Sequence, residues 1–324
     1  MKPTHTGVYE SQHKDIPGNP STAKSSDHIV NTNPNYHPLR AFTQEQWHFW
    51  CENGYAVLKN AISKEQAQQT ADFLWEFEEK NPNDPSTWYA PPRAEMQMKE
   101  LAGTGMVEAY NHQMLWNNRQ SEKIYHAFAD IWATEQLWVT IDRANLNFPI
   151  REGYSYKGFI HWDYDPDTNP QNVQGLIALS DQTNTQSGGF QCVPWLYKHY
   201  HQWKKTQPED RNRFQPDMKG LEDKLVKVPL EQGDLLIFHS QLAHGIRPNH
   251  SKDTVRIAQY ISMMPAEEEN ETLKQWRIES WRNRIAPEGY AFPGDPRNWE
   301  QTKYKQANLS PLGKKLLGLS SWSH

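Results

Sequence analysis

The apolar positions of this chain change period partway along it. From about residue 43 to residue 133 they recur mainly every three to four residues, the spacing of one helix face. Thr43-Gln44-Glu45-Gln46 fits a capping box and predicts a short helix that stops at Gly54. Tyr55 to Leu58 reads as a first strand. Ser63-Lys64-Glu65-Gln66 predicts a second capped helix, with Ala67, Ala71, Leu74 and Phe77 on its inner face. The proline-rich run from Asn81 to Arg93 predicts a loop. A helix from about Ser121 to Ala133 presents Ile124, Phe128, Ile131 and Trp132 to a core.

Beyond this point the apolar residues gather into short runs of strand length. Leu137–Phe148, Gly158–His161, Val173–Leu179, Leu225–Val228, Gly233–His239 and Val255–Met263 are predicted strands. Asp165-Pro166, Gly188-Gly189 and Pro248-Asn249 mark turns between them. Helices are expected at Trp195–Lys205, Glu267–Ile285 and Leu312–Leu319. Helices first and then a run of short strands predicts an α+β fold. Its expected core is a double-stranded β-helix, or cupin-like jelly roll, with flanking helices. Residues 1–40 lack apolar periodicity and are polar, which predicts an extended or partly disordered arm. Residues 41–324 are then one domain, with a helical extension from about residue 266.

Composition narrows the class of function. A net charge of −5 leaves no nucleic-acid footprint. No apolar run reaches the ~18 residues of a membrane span, and the N-terminus lacks the layout of a signal peptide. Two cysteines, Cys51 and Cys192, cannot build a disulfide framework, and a reducing cytoplasm is the expected compartment. The partner expected is a small molecule.

The candidate chemistry lies in His161-Trp162-Asp163, followed much later by His244 and then Arg256. Two imidazoles and a carboxylate in this order suit the facial triad of non-haem Fe(II), which leaves three coordination positions open. On a strand, His161 and Asp163 share one face and Trp162 takes the other. His244 is expected in the loop after the Gly233–His239 strand. Arg256 lies within an apolar strand and needs an anionic partner there. A dicarboxylate cosubstrate offers one in bidentate geometry. A rival, a cupin-like metalloprotein independent of 2-oxoglutarate, would draw a further ligand from His199, His201, His239 or His250; His239 reads better as a satisfied histidine at a strand end.

These residues carry a family likeness. From about Phe42 to Pro265 the chain resembles the phytanoyl-CoA dioxygenase family of Fe(II)/2-oxoglutarate oxygenases. The likeness rests on Glu52-Asn53-Gly54-Tyr55-Ala56-Val57-Leu58, His161-Trp162-Asp163, Gly188 to Pro194, His244-Gly245 and Arg256, in family order. It implies that His161, Asp163 and His244 bind iron and that Arg256 holds the distal carboxylate of 2-oxoglutarate. Asn145, Asn147 and Trp162 are the further cofactor contacts expected, with Arg247 or Arg143 as substitute anchors. O₂ is the oxidant, and succinate and CO₂ are the co-products. Asp163 argues against halogenation, since related halogenases keep a small residue there. Two departures are Pro194-Trp195-Leu196-Tyr197 in place of the family's Pro-Gly-Ser-His, and Ile246 in place of a small hydroxyl residue. The expected reaction is hydroxylation of an unactivated C–H in a small polar molecule, an alkaloid or amino-acid-derived natural product. An acyl-CoA substrate is the alternative within the family. Trp88, Tyr89, Trp116, Trp162, Phe190 and Trp195 are candidate pocket liners.

Overall fold

The computed structural model describes residues 28–89, 105–153, 157–168, 171–287, 292 and 294–322. Three layers position the site: helices, a large sheet and a small sheet.

The helical layer comes mainly from the first part of the chain. Helix α1 (Gln44–Asn53) opens on the expected capping box. Thr43 accepts from the Gln46 backbone, and the Gln46 side chain accepts in return. It ends at Gly54, whose φ of 71° a residue with a Cβ adopts only at a cost. Strand β1 is Tyr55–Leu58. Helix α2 (Lys64–Phe77) is capped by Ser63 and buries Ala67, Ala71, Leu74 and Phe77, as the periodicity predicts. Gln66, however, turns to Asn118 instead of closing a box. A short α3 (Pro85–Trp88) breaks the predicted loop, whose residues from 90 onward lie outside the described residues. Strand β2 (Met106–Val107) and helix α4 (Gln113–Arg119) were not expected. Helix α5 is Glu122–Trp132.

Two long predicted strands are each two strands in different sheets. Leu137–Phe148 divides into β3 (Leu137–Val139) and β4 (Ala144–Asn147). Val255–Met263 divides into β10 (Arg256–Tyr260) and β11 (Met263–Pro265). Strands β3 and β11 pair with each other. The remaining strands are β5 (Val173–Ala178), β6 (Ser187–Cys192), β7 (Val226–Lys227), β8 (Leu235–His239) and β9 (His244–Asn249). Helix α6 (Pro194–Lys204) lies between β6 and β7, and α7 (Glu271–Asn283), α8 (Trp299–Thr302) and α9 (Pro311–Leu317) follow the strands.

The large sheet runs β1-β8-β5-β10-β4-β2 and the small one β7-β6-β9. All their pairings are antiparallel. Side-chain alternation sorts the large sheet into two apolar faces. Val173, Ile177, Leu235, Ile237 and Ile257 join α1, α2 and α5 in the main core. Leu176, Ala178, Leu236, Phe238 and Ala258 face Phe190 and Cys192 of the small sheet. The space between the sheets, closed by this second cluster, is where the candidate ligands converge.

Residues 28–40 are fastened to the helical layer. Trp47 and Trp50 donate their indole N–H groups to the carbonyls of Asn33 and Asn31. The buried Asp130 carboxylate accepts the backbone N–H groups of Arg40, Ala41 and Phe42. Residues 1–27 lie outside the described residues.

Candidate metal centre and anion pocket

The segment before His161 is not a strand, and His244 is not in a loop. His161 forms a single antiparallel bridge with His244, the first residue of β9. His161 N–H donates to the His244 carbonyl at 2.8 Å, and His244 N–H returns the bond at 2.9 Å. One residue pair thus sets two imidazoles side by side, with ring centroids 4.6 Å apart. The close passage depends on Gly245, where a Cβ would collide with the Phe159 carbonyl.

Asp163 completes the cluster. Its carboxylate oxygens lie 3.4 Å from His161 Nε2 and 3.3 Å from His244 Nε2. The three donor atoms all fall within 4.8 Å of one another, and no other such group of three occurs among the described residues. Burial disfavours the Asp163 anion, but the bonds to His161 and His244 outweigh it and hold the carboxyl well below the usual carboxylate range. His244 Nδ1 lies 2.9 Å from the Leu242 carbonyl. That contact fits a proton on Nδ1, so a metal taking the place of the Nε2 proton would find the ring already oriented. Phe190 stacks on the His244 ring and Phe238 packs beside it. The donor set and its geometry therefore fit a divalent metal held on one face.

Gln174 of β5 was not foreseen. Its amide donates to Asp163 Oδ2 and fixes the carboxylate. The signal was present in the sequence: a lone polar amide in an otherwise apolar strand needs a partner.

Trp162 requires a correction as a cofactor contact. It is fully buried on the opposite side with Val193, Leu196, Tyr200 and Trp203, and its indole donates to the Gln241 carbonyl. Alternation at the x position sends it into packing. Trp88 and Trp116 also belong to the main core, with N–H groups bonded to Asn81 O and Asn111 Oδ1. Tyr89 bonds the Pro149 carbonyl, and Trp195 packs on His199. Of the candidate liners, Phe190 touches a triad ring.

Arg256 is 1% exposed. Its Nη2 donates to Asn145 Oδ1 at 2.9 Å, while Nε and Nη1 have no partner among the described residues. Asn147 sits opposite Arg256 in the β4–β10 register, and its side-chain oxygen is also buried and unpaired. Open donors on a buried cation fit an incoming carboxylate. Arg143 is spoken for: it pairs with buried Glu108 at 2.8 Å and lies over Phe292. His239 accepts the Gln241 N–H at Nδ1, between Trp50 and Tyr197, as a satisfied strand-end histidine.

The profile of the phytanoyl-CoA dioxygenase (PhyH) family matches residues 50–258. The chain is 26% identical to Ava biosynthesis cluster protein O of Aspergillus versicolor, over 76% of this chain and 84% of that protein. It is 25% identical to the 2-aminoethylphosphonate dioxygenase of Uncultured bacterium HF130_AEPn_1, over 82% and 98% respectively. In fold it is similar to hypothetical protein JW0805 of Escherichia coli, with a TM-score of 0.59 and 19% identity over 85% of this chain and 81% of that one. GlcNAc Inducible Gene 2 of Candida albicans has a TM-score of 0.56 and 14% identity, covering 85% and 76%.

Proposed function

The chain belongs to the phytanoyl-CoA dioxygenase family, and on that premise we propose that His161, Asp163 and His244 hold Fe(II) while Arg256 anchors 2-oxoglutarate. The protein is a dioxygenase, with iron and 2-oxoglutarate as its cofactor and cosubstrate. The observation that carries the residue assignment is the convergence of three donor atoms, together with a buried guanidinium that has open N–H groups among the described residues.

When bound, iron and 2-oxoglutarate would enable O₂ to oxidise a substrate C–H, one oxygen atom entering the substrate as hydroxyl and the other entering succinate as CO₂ is lost. The side chains orient and enclose. His161 and His244 present nitrogens from paired backbones, and Gln174 aims the Asp163 carboxylate. Asn145 holds the Arg256 guanidinium in place. Phe190, Phe238 and the apolar cluster between the sheets keep water from the inner side of the site. In this reading the large and small sheets are the two halves of a double-stranded β-helix, with the triad in its mouth.

For the substrate, the reading is hydroxylation of a small polar natural-product intermediate, derived from an alkaloid or amino acid. It is supported by a relative named for a biosynthesis cluster and another named for a small aminophosphonate. The two cysteines are unpaired, which suits a reducing cytoplasm.

Anaerobic addition of Fe(II) and 2-oxoglutarate should produce the weak visible charge-transfer absorption of the chelate. Its persistence in His244→Ala would remove His244 from the ligand set. Succinate release, screened with amino-acid-derived and alkaloid compounds against long-chain acyl-CoA, then tests the substrate class. Stimulation by acyl-CoA alone would overturn it.

A further inference from the structure

A second arginine is buried without a carboxylate partner among the described residues. Arg247 stands on β9 three residues beyond His244 and is 4% exposed. Its Nη1 donates to Phe190 O at 2.7 Å and its Nη2 to Gly188 O at 2.5 Å. Those bonds lock the guanidinium against β6, and its Nε has no partner among the described residues. Glycine at 189 leaves it room, since a Cβ there would stand 2.7 Å from Nη2. Burial lowers the Arg247 pKa first, and the charge of Arg256 lowers it further. Geometry links the two cations: Arg247 bonds Gly188 O, a Cβ at Gly188 would stand 3.2 Å from Asn147 Oδ1, and Asn147 is the register partner of Arg256.

Neither arginine forms an ion pair with a carboxylate among the described residues. Two buried like charges without a counterion are unfavourable, and an anion placed between them relieves both. Neighbouring Ile246 packs into the apolar cluster and offers no hydrogen bond. The unpaired Nε and Nη1 of Arg256 and Nε of Arg247 are donors without an acceptor among the described residues. A carboxylate has two oxygens, enough to accept from both groups.

We propose that Arg247 is a second positioning residue for the cosubstrate, sharing the distal carboxylate of 2-oxoglutarate with Arg256. This rests on the Arg256 assignment above. Arg247 thereby sets the preference for a 2-oxo diacid over a 2-oxo monoacid.

The test is calorimetric binding to the full-length Mn(II)-loaded protein, without turnover. Two ligands are compared: 2-oxoglutarate and 2-oxovalerate, which lacks the distal carboxylate. Arg247→Gln is expected to weaken 2-oxoglutarate about tenfold, the usual scale for one lost charge-assisted bond, while 2-oxovalerate stays within about twofold. Equal weakening of both ligands would make Arg247 a mere buttress of β6 and overturn the proposal. So would an unchanged preference in Arg247→Gln while Arg256→Gln loses it. A wild-type protein without preference, or an Arg256→Gln variant that keeps it, would overturn the Arg256 assignment and this proposal with it. Arg247→Lys guards against a folding failure: it keeps the charge and should retain part of the preference. Equal loss of both ligands in that variant also overturns the proposal.

Discussion

Arg256 and Asn145 are bonded side chain to side chain although they are not register partners. Arg256 lies opposite Asn147, and Asn145 lies opposite Ala258. The guanidinium therefore leans along β10 in the direction of Tyr260 to reach Asn145 Oδ1 at 2.9 Å. Its tilt is set by a neutral acceptor, which leaves the positive charge uncompensated for a ligand. Asn145→Ala should release that tilt and open another buried donor, at a cost of about 1–3 kcal/mol. The expected result is a KM for 2-oxoglutarate raised about tenfold, with kcat nearly unchanged. Steady-state kinetics against 2-oxoglutarate decides it, and an unaltered KM would release Asn145 from this role.

Gln174 holds a proposed metal ligand without touching the metal itself. Gln174→Ala should lower metal affinity by roughly 10–100-fold, the usual effect of losing a partner behind a ligand. Titration with Mn(II) reads this directly. Gln174→Glu places a second carboxylate against Asp163 and should be worse, through like-charge repulsion.

Gly245 is needed for a close approach of two chain segments. Gly245→Ala would push away the Phe159 carbonyl and part the His161–His244 bridge. Metal binding should fall sharply even if the thermal midpoint changes only modestly. Retention of wild-type affinity would show that the bridge does not set the imidazole spacing.

His239 links stability to pH. Burial lowers its pKa to about 4, so it is neutral in the fold. The unfolded chain takes up a proton below about pH 6.5, and the folded one does not until near pH 4. Stability from this group is thus complete above pH 6.5 and lost as the pH falls toward 4, by roughly 3 kcal/mol at full effect. His112, lowered to about 4 by burial, acts in the same sense. Glu300, raised to about 7 by burial, acts oppositely, gaining stability as the pH falls below 7. The diagnostic quantity is therefore a difference: Tm of His239→Gln should decline less steeply than wild type between pH 6.5 and 4.5. Parallel profiles would contradict the buried neutral state.

The chemistry of the site was legible because a facial triad is a matter of residue type and order. The tight His161-x-Asp163 pair needs no long-range information, and Arg256 betrays itself as a charge within an apolar strand. The helix caps at Thr43 and Ser63 are local chemistry and were legible for the same reason. Harder were features set by distant pairing. Gly188 and Gly189 read as a turn, yet both lie inside β6 with φ of 81° and 108°, where the strand bends around Arg247. Apolarity alone also cannot show that one predicted strand serves two sheets, as in Leu137–Phe148 and Val255–Met263. Trp162 was misplaced as a cofactor contact although alternation about His161 and Asp163 already sends it to the other face, where it packs under α6.

The polar segment ahead of α1 bears on where the chain can be cut. Val30 N–H donates to the Gln171 side chain, two residues before the strand that carries Gln174. A shortened protein starting at Thr43 would strip the carbonyl partners from two buried indoles and the amide partners from Asp130. It would also loosen the lead-in to β5, and with it the aim of Asp163. Trimming this stretch as a dispensable leader would therefore discard a strap that runs from the helical layer to the segment leading into β5, whose Gln174 holds the proposed ligand Asp163.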